Sequence, residues 1–409
     1  MVKSARQTDR PPLRVTRFSF VTNHNSVHHS NAVTTRELKI AATVLSKTGR
    51  DKPADGVLRD ELRRQRELPP QSSAAVARAI FAYHRWLGWL DKAAPLDASI
   101  RRAQELQELF NRAPMQFTDA DLLARAIPSW AAAAMDVSPA WCRALQTEPR
   151  LWLRARLGQG TELSRNLGET HTKLSIASPD AVEYRGPENL FRSELFHAGA
   201  FEMQDINSQI VSLLCAPQPN ETWWDACAGE GGKLLHLSDL MLNKGLVWGS
   251  DRAAWRLKRL KLRAGRAKSF NYRSALWDGG AKLPMKTKFD GVLLDAPCSG
   301  VGTWQRNPHS RWTTTTADVT DLAAVQLELL RHVAPSVKPG GRLIYSVCTL
   351  TRAETSGVTA AFAKLLPDFR PLPLLNPFET SQPATLALSL RPEATGGNGM
   401  FIAAWMRAS

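Results

Sequence analysis

Beyond Asp205 the sequence settles into one rhythm, in which a short β-rich run, a loop and a helix-length segment recur. The β-rich runs occupy Thr222–Asp225, 246–250, 289–294 and 341–348. Such alternation specifies an α/β fold, a mostly parallel sheet covered by helices on both faces, because parallel neighbours must be joined by long crossovers. No segment repeats another. Sheets of this kind bind ligands outside the carboxyl ends of their strands. The residues just past each run are therefore the first candidates for chemistry.

The first run opens into Cys227-Ala228-Gly229-Glu230-Gly231-Gly232-Lys233. Glycines let backbone approach a ligand closely, and the helix start that follows offers free N–H groups to a carboxylate or phosphate. Asp251 stands at the tip of the next run, about twenty residues further on. An acid there accepts hydrogen bonds from both ribose hydroxyls or caps the following helix, and the two roles can coexist. Loop and acid together indicate a nucleotide-type cofactor without identifying it. In 251–268, Arg252, Arg256, Arg259, Arg263 and Arg266 form a stripe beside an apolar one. That stripe is either a solvated basic face or a contact for RNA phosphates.

Run 289–294 leads into Asp295-Ala296-Pro297-Cys298-Ser299-Gly300, and run 341–346 into Val347-Cys348-Thr349-Leu350. A helix-length segment, 318–338, lies between them, and a parallel strand–helix–strand unit brings both carboxyl ends to the same side. Neighbouring strands lie about 4.8 Å apart, so both thiols would open into one crevice. Cysteine pairs are more often plain packing. Packing does not explain why both follow strand ends, in turns beside polar residues. One thiol as covalent nucleophile and a second as base is a chemistry that does. Asp295 is placed to hydrogen-bond a substrate ring and stabilise its charge. The catalytic candidates are Cys348, Cys298, Asp295 and Lys233.

The remaining sequence bounds organisation and partners. A length of 409 residues suggests two or three domains. The excess of 53 Lys+Arg over 38 Asp+Glu gives a formal charge of +15, whose field attracts polyanions. No apolar run approaches the roughly 18 residues that cross a bilayer, and the N-terminus has no apolar signal core. The five cysteines include no CxxC pair and read as reduced cytosolic thiols, which implies a cytoplasmic protein with no metal site. Residues 1–33 read as a basic mobile tail, and its His24, His28 and His29 lack the fixed geometry a metal requires. Over 34–147, apolar spacing of three and four predicts a helical domain, with helices at 38–45, 74–90, 98–110 and 119–135 and one face available to RNA. Arg150-Leu151-Trp152-Leu153-Arg154 alternates like a short strand. It opens a linker and small α/β RNA-binding subdomain over 148–215, with Arg154 as a candidate RNA contact, ahead of a cofactor-binding domain over 216–409.

The paired cysteine motifs resemble those of the Fmu/Sun family of RNA cytosine-5 methyltransferases. The resemblance spans roughly 199–404. It rests on Asp-Ala-Pro-Cys-Ser-Gly followed fifty residues later by Tyr-Ser-Val-Cys-Thr-Leu. Gln204-Asp205 with Ser208-Gln209, the glycine loop, Gly302-Thr303-Trp304, Arg306-Asn307-Pro308, Trp312 and the terminal 397–403 support it, the last as a final strand pair. It implies a Rossmann-like class I methyltransferase domain with a mostly parallel seven-stranded sheet, preceded by an all-α domain. It further implies S-adenosylmethionine as cofactor, lined by Cys227 to Lys233, Asp251, Asp278 and Asp295, with Arg306 and Asn307 near RNA. Carbon 5 of cytosine is a poor nucleophile until a thiolate adds to carbon 6. The family pattern gives that role to Cys348 and product release to Cys298.

Some positions depart from the family pattern. Glu230 replaces a proline, Leu234 a threonine and His309 an acid. A carboxylate at 230 would repel the cofactor's own carboxylate unless it turns away or pairs with Lys233. The helical N-terminal region favours ribosomal RNA over transfer RNA as substrate, and no membrane or obligate protein partner is indicated. Two other classes compete. A catalytically silent RNA-binding or assembly factor could keep the fold. A DNA cytosine methyltransferase would draw its nucleophile from the Pro-Cys turn and lack the second cysteine motif. An amino-group enzyme would need an Asn/Asp-Pro-Pro-aromatic tetrapeptide, which is missing after the fourth strand.

Overall fold

A computed structural model describes residues 33–65 and 67–409, so the tail with His24, His28 and His29 lies outside the described residues. The described chain divides into two compact units, at Ala113/Pro114. The smaller is helical, with α1 (Thr35–Lys47), α2 (Ala54–Arg64), α3 (Pro70–Trp86) and α4 (Leu96–Arg112). Thr34 starts α1 with a reciprocal cap. Its side chain accepts from the Glu37 N–H, and the Glu37 carboxylate accepts from the Thr34 N–H, which is worth about 1 kcal/mol. The apolar stripe of α1, including Leu38, Ala41 and Val44, packs on Leu58, Val76, Ile80 and Ile100.

The helix expected over 119–135 is broken. Pro128 lacks an N–H to donate, and the segment forms α5 (Asp119–Arg125) and α6 (Ala131–Ala134) instead. With α7 (Pro139–Gln146) these helices join the larger unit, so the helical unit ends at Ala113 and not at Thr147. Trp130 and Trp141 flank Trp304, with ring centroids 5.8 and 6.0 Å away.

Next come β1 (Leu151–Ala155), α8 (Gly160–Asn166), β2 (Thr172–Ser175), β3 (Ser178–Tyr184), α9 (Glu194–His197) and β4 (Phe201–Met203). They form an antiparallel sheet in the order β2-β3-β1-β4. The main sheet follows, through α10 (Ile206–Cys215), β5 (Thr222–Asp225), α11 (Gly232–Leu240), β6 (Leu246–Asp251), α12 (Ala254–Arg266), β7 (Tyr272–Leu276) and β8 (Phe289–Asp295). It continues with α13 (Pro308–Thr313), α14 (Thr316–Val333), β9 (Val337–Val347), α15 (Val358–Leu365), β10 (Phe369–Pro371), β11 (Ala387–Leu390), α16 (Pro392–Thr395) and β12 (Met400–Arg407).

Its strand order is β10-β12-β9-β8-β5-β6-β7, with the run from β9 to β7 parallel and β12 antiparallel to β9. Eight strands fill the seven expected positions, because β10 and β11 pair with different stretches of β12. Trp223 and Trp224 of β5 are fully buried in two different cores, one per face of the sheet. Gly291 sits opposite Trp223, and a Cβ there would lie 2.3 Å from the indole, so the close approach requires glycine. From β5 the chain winds outward to β7 and returns at β8. This reversal opens a crevice at the carboxyl ends of β5 and β8.

Candidate active site

The glycine loop leaves β5 and enters α11 around Gly229 and Gly231, at φ 56° and 87°. A Cβ built at Gly229 or Gly232 would meet nothing within 4 Å, so both border open space that a side chain would fill. Asp251 ties this loop to β6, where its Oδ2 accepts from the Gly229 N–H at 3.2 Å and its Oδ1 from the Ala253 N–H at 2.8 Å. Asp251 thus starts the following segment and also borders the cradle. Asp278 is exposed, two residues past Leu276, the register partner of Asp251. The cradle fits a nucleoside-bearing cofactor such as S-adenosylmethionine, with room beside the loop and an acid at the next strand tip. Burial pushes the Cys227 thiol far up, so its side chain contributes packing and not reactivity.

Sequence reasoning passed over Asp225. It is fully buried, and its carboxyl is pushed up to about 8, first by burial and then by neighbouring Asp295. Neither oxygen makes a full hydrogen bond, and the nearby Lys233 cation and the Leu234 backbone N–H offset the burial only in part. A carboxyl inside an otherwise apolar strand, directly before the glycine loop, was the available signal.

Glu230 does not pair with Lys233. Its carboxylate takes Arg259 Nη1 at 3.1 Å, from α12. Lys233 Nζ instead donates to Asp295 Oδ2 at 2.6 Å, while Ser346 Oγ donates to Asp295 Oδ1 at 2.9 Å. This chain of contacts joins the glycine loop to the ends of β8 and β9. Asp295 and Ser346 are register partners on those parallel strands. Three residues past Asp295 and two past Ser346, the Cys298 and Cys348 sulfurs lie 3.3 Å apart, and both residues are partly exposed. The Cys298 thiol is raised well above its ordinary value, first by the hydrogen bond with Cys348 and then by burial. The Cys298 thiol therefore holds its proton tightly.

Arg154 is a correction to the sequence reading. β1 is buried on both faces, not alternately, and the Arg154 side chain is 1% exposed. Its Nη1 lies 2.6 Å from Asp239 Oδ2 and its Nε 2.8 Å from Gln204 Oε1, so it holds the fold internally and meets no RNA. Arg306 is partly buried against Asp205, at 3.5 Å, and Asn307 donates to Thr303 Oγ1. Four arginines of the stripe are held by acids, while Arg252, ahead of α12, is exposed. Arg256 pairs with Asp251, Arg259 with Glu230, and Arg263 and Arg266 with the buried Glu202. His309 is buried in α13, and burial lowers its pKa, so it stays neutral.

A doubly wound sheet of this order, ending in an antiparallel strand, is the class I methyltransferase fold. Residues 212–406 match the family described as 16S rRNA methyltransferase RsmB/F, which bears out the resemblance carried by the cysteine motifs. A probable ribosomal RNA small subunit methyltransferase B from Synechocystis is 37% identical over 220 residues, covering 51% of this chain and 48% of its own. The solved structure of PH0851 aligns over 91% of this chain and 99% of its own with a TM-score of 0.74 and 23% identity, a likeness of fold. A methyltransferase homolog from Pyrococcus horikoshii covers 66% of this chain and 90% of its own, at a TM-score of 0.57 and 25% identity. The chain spans about half the length of the curated relatives it matches, at 48% and 40% for the first two.

Proposed function

We propose that this chain transfers a methyl group from S-adenosylmethionine to carbon 5 of a cytosine in RNA, with ribosomal RNA the favoured substrate. The observation that carries the reading is the 3.3 Å separation of two thiols at the ends of adjacent parallel strands, beside the glycine cradle. The names of the relatives support RNA, and ribosomal RNA in particular. The cofactor supplies an electrophilic methyl group on a sulfonium.

Cys348, relieved of its proton, forms a bond to carbon 6, which makes carbon 5 enamine-like and able to take the methyl. Once the adduct has formed, Cys298 gives up its own proton to solvent; the carbon-5 proton then leaves to the Cys298 thiolate, the double bond re-forms, and Cys348 departs as thiolate. Addition also removes the hydrogen bond that held the proton on Cys298, which frees this sulfur to act as base at the later step. Asp295, held by Lys233 and Ser346, accepts from the exocyclic amine and fixes the ring. Cys227 to Lys233, Asp251 and Asp278 hold the cofactor, and Arg306 and Asn307 lie toward the RNA. The helical unit and the β1–β4 sheet are assigned to gripping the substrate, on the strength of the chain's charge of +15. The reaction belongs in the cytoplasm, because two thiols this close stay reduced only in a reducing compartment. Among the described residues no helix is long and apolar enough to cross a membrane.

Incubating the chain with methyl-labelled cofactor and total RNA, followed by nucleoside analysis, tests this reading. The expected product is labelled 5-methylcytidine in the ribosomal fraction, lost on Cys348→Ala. Label on another atom, or full transfer by Cys348→Ala, contradicts the mechanism. Absence of any transfer favours a binding factor, and label in the transfer RNA fraction redirects the substrate.

A further inference from the structure

We infer that Glu354 is the positioning residue of the thiol pair, a single buried carboxylate that fastens the turn after Cys298 to the turn after Cys348. It rests on the reading of those cysteines given above. Glu354 is 0% exposed and lies in a short π-helical segment, Ala353–Gly357, just ahead of α15. Its Oε1 accepts from the Ser299 N–H at 2.8 Å and from Gln326 Nε2 at 3.0 Å. Its Oε2 accepts from Thr349 Oγ1 at 3.0 Å, from Thr351 Oγ1 at 2.8 Å and from the Ser299 hydroxyl. Ser299 and Thr349 are the residues immediately following the two cysteines, and their hydroxyls lie 3.0 Å apart.

A buried carboxylate is costly and gains little for stability over an apolar side chain of the same volume. Five donors converging from both cysteine turns and from α14 satisfy it, and the placement makes sense as a clamp. Besides it, the turns beyond β8 and β9 are tied by Ser299 to Thr349, by the Gly302 N–H to the Cys348 carbonyl and by the thiol contact itself, and none of these reaches α14. The negative charge has a second effect. It adds to the Cys348 contact and burial in raising the Cys298 thiol, which keeps the proton on the residue that must act late. Glu354 thus sets both the sulfur separation and the order in which the thiols ionise. Its signal in sequence is faint, an acid six residues past Cys348 in a threonine-rich stretch.

The full chain carrying Glu354→Gln or Glu354→Asp tests this, by pH-dependent alkylation of each cysteine read by peptide mass spectrometry and by kcat and KM for RNA. Glu354→Gln removes the charge, and the expected result is a Cys298 alkylation midpoint about one pH unit lower. Its kcat should fall on the order of a hundredfold with KM for RNA nearly unchanged, as for a displaced catalytic group. Glu354→Asp keeps the charge but is too short to bridge both turns, so kcat should fall while its midpoint drops less than in Glu354→Gln. Should Glu354→Gln fail to fold, Thr351→Val removes one donor and should lower kcat several-fold. An unchanged midpoint and kcat in Glu354→Gln, the same midpoint shift in Glu354→Asp, or full kcat in Thr351→Val overturns the assignment. The alkylation arm reads Glu354 even if no methyl is transferred, whereas the functional reading fails separately, through activity in Cys348→Ala.

Discussion

The crevice has a glycine side, beyond β5 and β6, and a thiol side, beyond β8 and β9. On the glycine side the main chain does the shaping, because Gly229 and Gly232 matter for the space they leave and Gly229 N–H binds Asp251 directly. Side chains there are neutralised locally, as Arg259 neutralises Glu230. On the thiol side the shape comes from side chains converging on Glu354, drawn from residues 299, 326, 349 and 351. The difference explains how a departure from the family pattern such as Glu230 is accommodated where backbone sets the geometry. A main-chain cradle tolerates a changed side chain that points away, while a convergent network tolerates few.

Four substitutions break or sharpen that contrast, in falling order of effect. Gly232→Val fills the cradle, and the affinity for S-adenosylmethionine should drop about a hundredfold, near 3 kcal/mol, in a calorimetric titration while the thermal midpoint barely moves. An unchanged affinity would show that the space beside the loop is not the cofactor's. Arg154→Ala should lower the unfolding free energy by about 3 kcal/mol in urea, because it strands Asp239 without one of its two arginines. Lost RNA affinity at unchanged stability would restore Arg154 to the substrate interface.

Asp225 makes stability depend on pH. Its carboxyl titrates near 8 in the folded chain against 3.8 ordinarily, so between those values the folded state holds a proton that the unfolded state has lost. Stability should therefore fall as pH rises from about 4 to about 8, and Asp225→Asn should flatten that slope in urea titrations of the cofactor-free chain. Arg259→Ala should weaken cofactor binding only about twofold, since a half-exposed ion pair is worth about 0.5 kcal/mol. A loss as large as that of Gly232→Val would mean that side chains, and not backbone, govern the glycine side.

Much of this was legible in the sequence, for identifiable reasons. The central strands are short apolar runs that read as strands whatever surrounds them, and each cysteine motif follows one directly, so their apposition followed from parallel neighbours. Edge elements were harder. Strand β7 is largely exposed, and α2 is rich in charge with only Ala54, Leu58 and Glu61 buried, so neither shows a clear apolar period. Pairings between distant residues were out of reach. Arg154 finds Asp239 across 85 positions and Glu354 finds Ser299 across 55, and no local pattern announces either. A charged residue in an alternating run reads as exposed until its partner is seen.

The central claim is that Cys348 bonds to the base and Cys298 lets it go. Its most direct test is denaturing electrophoresis of the chain after incubation with RNA and S-adenosylmethionine. Cys298→Ala should retain RNA covalently through denaturation, while wild type and the Cys298→Ala/Cys348→Ala double variant should not. A covalent species in the double variant, or none in Cys298→Ala that still binds RNA and cofactor, contradicts the account.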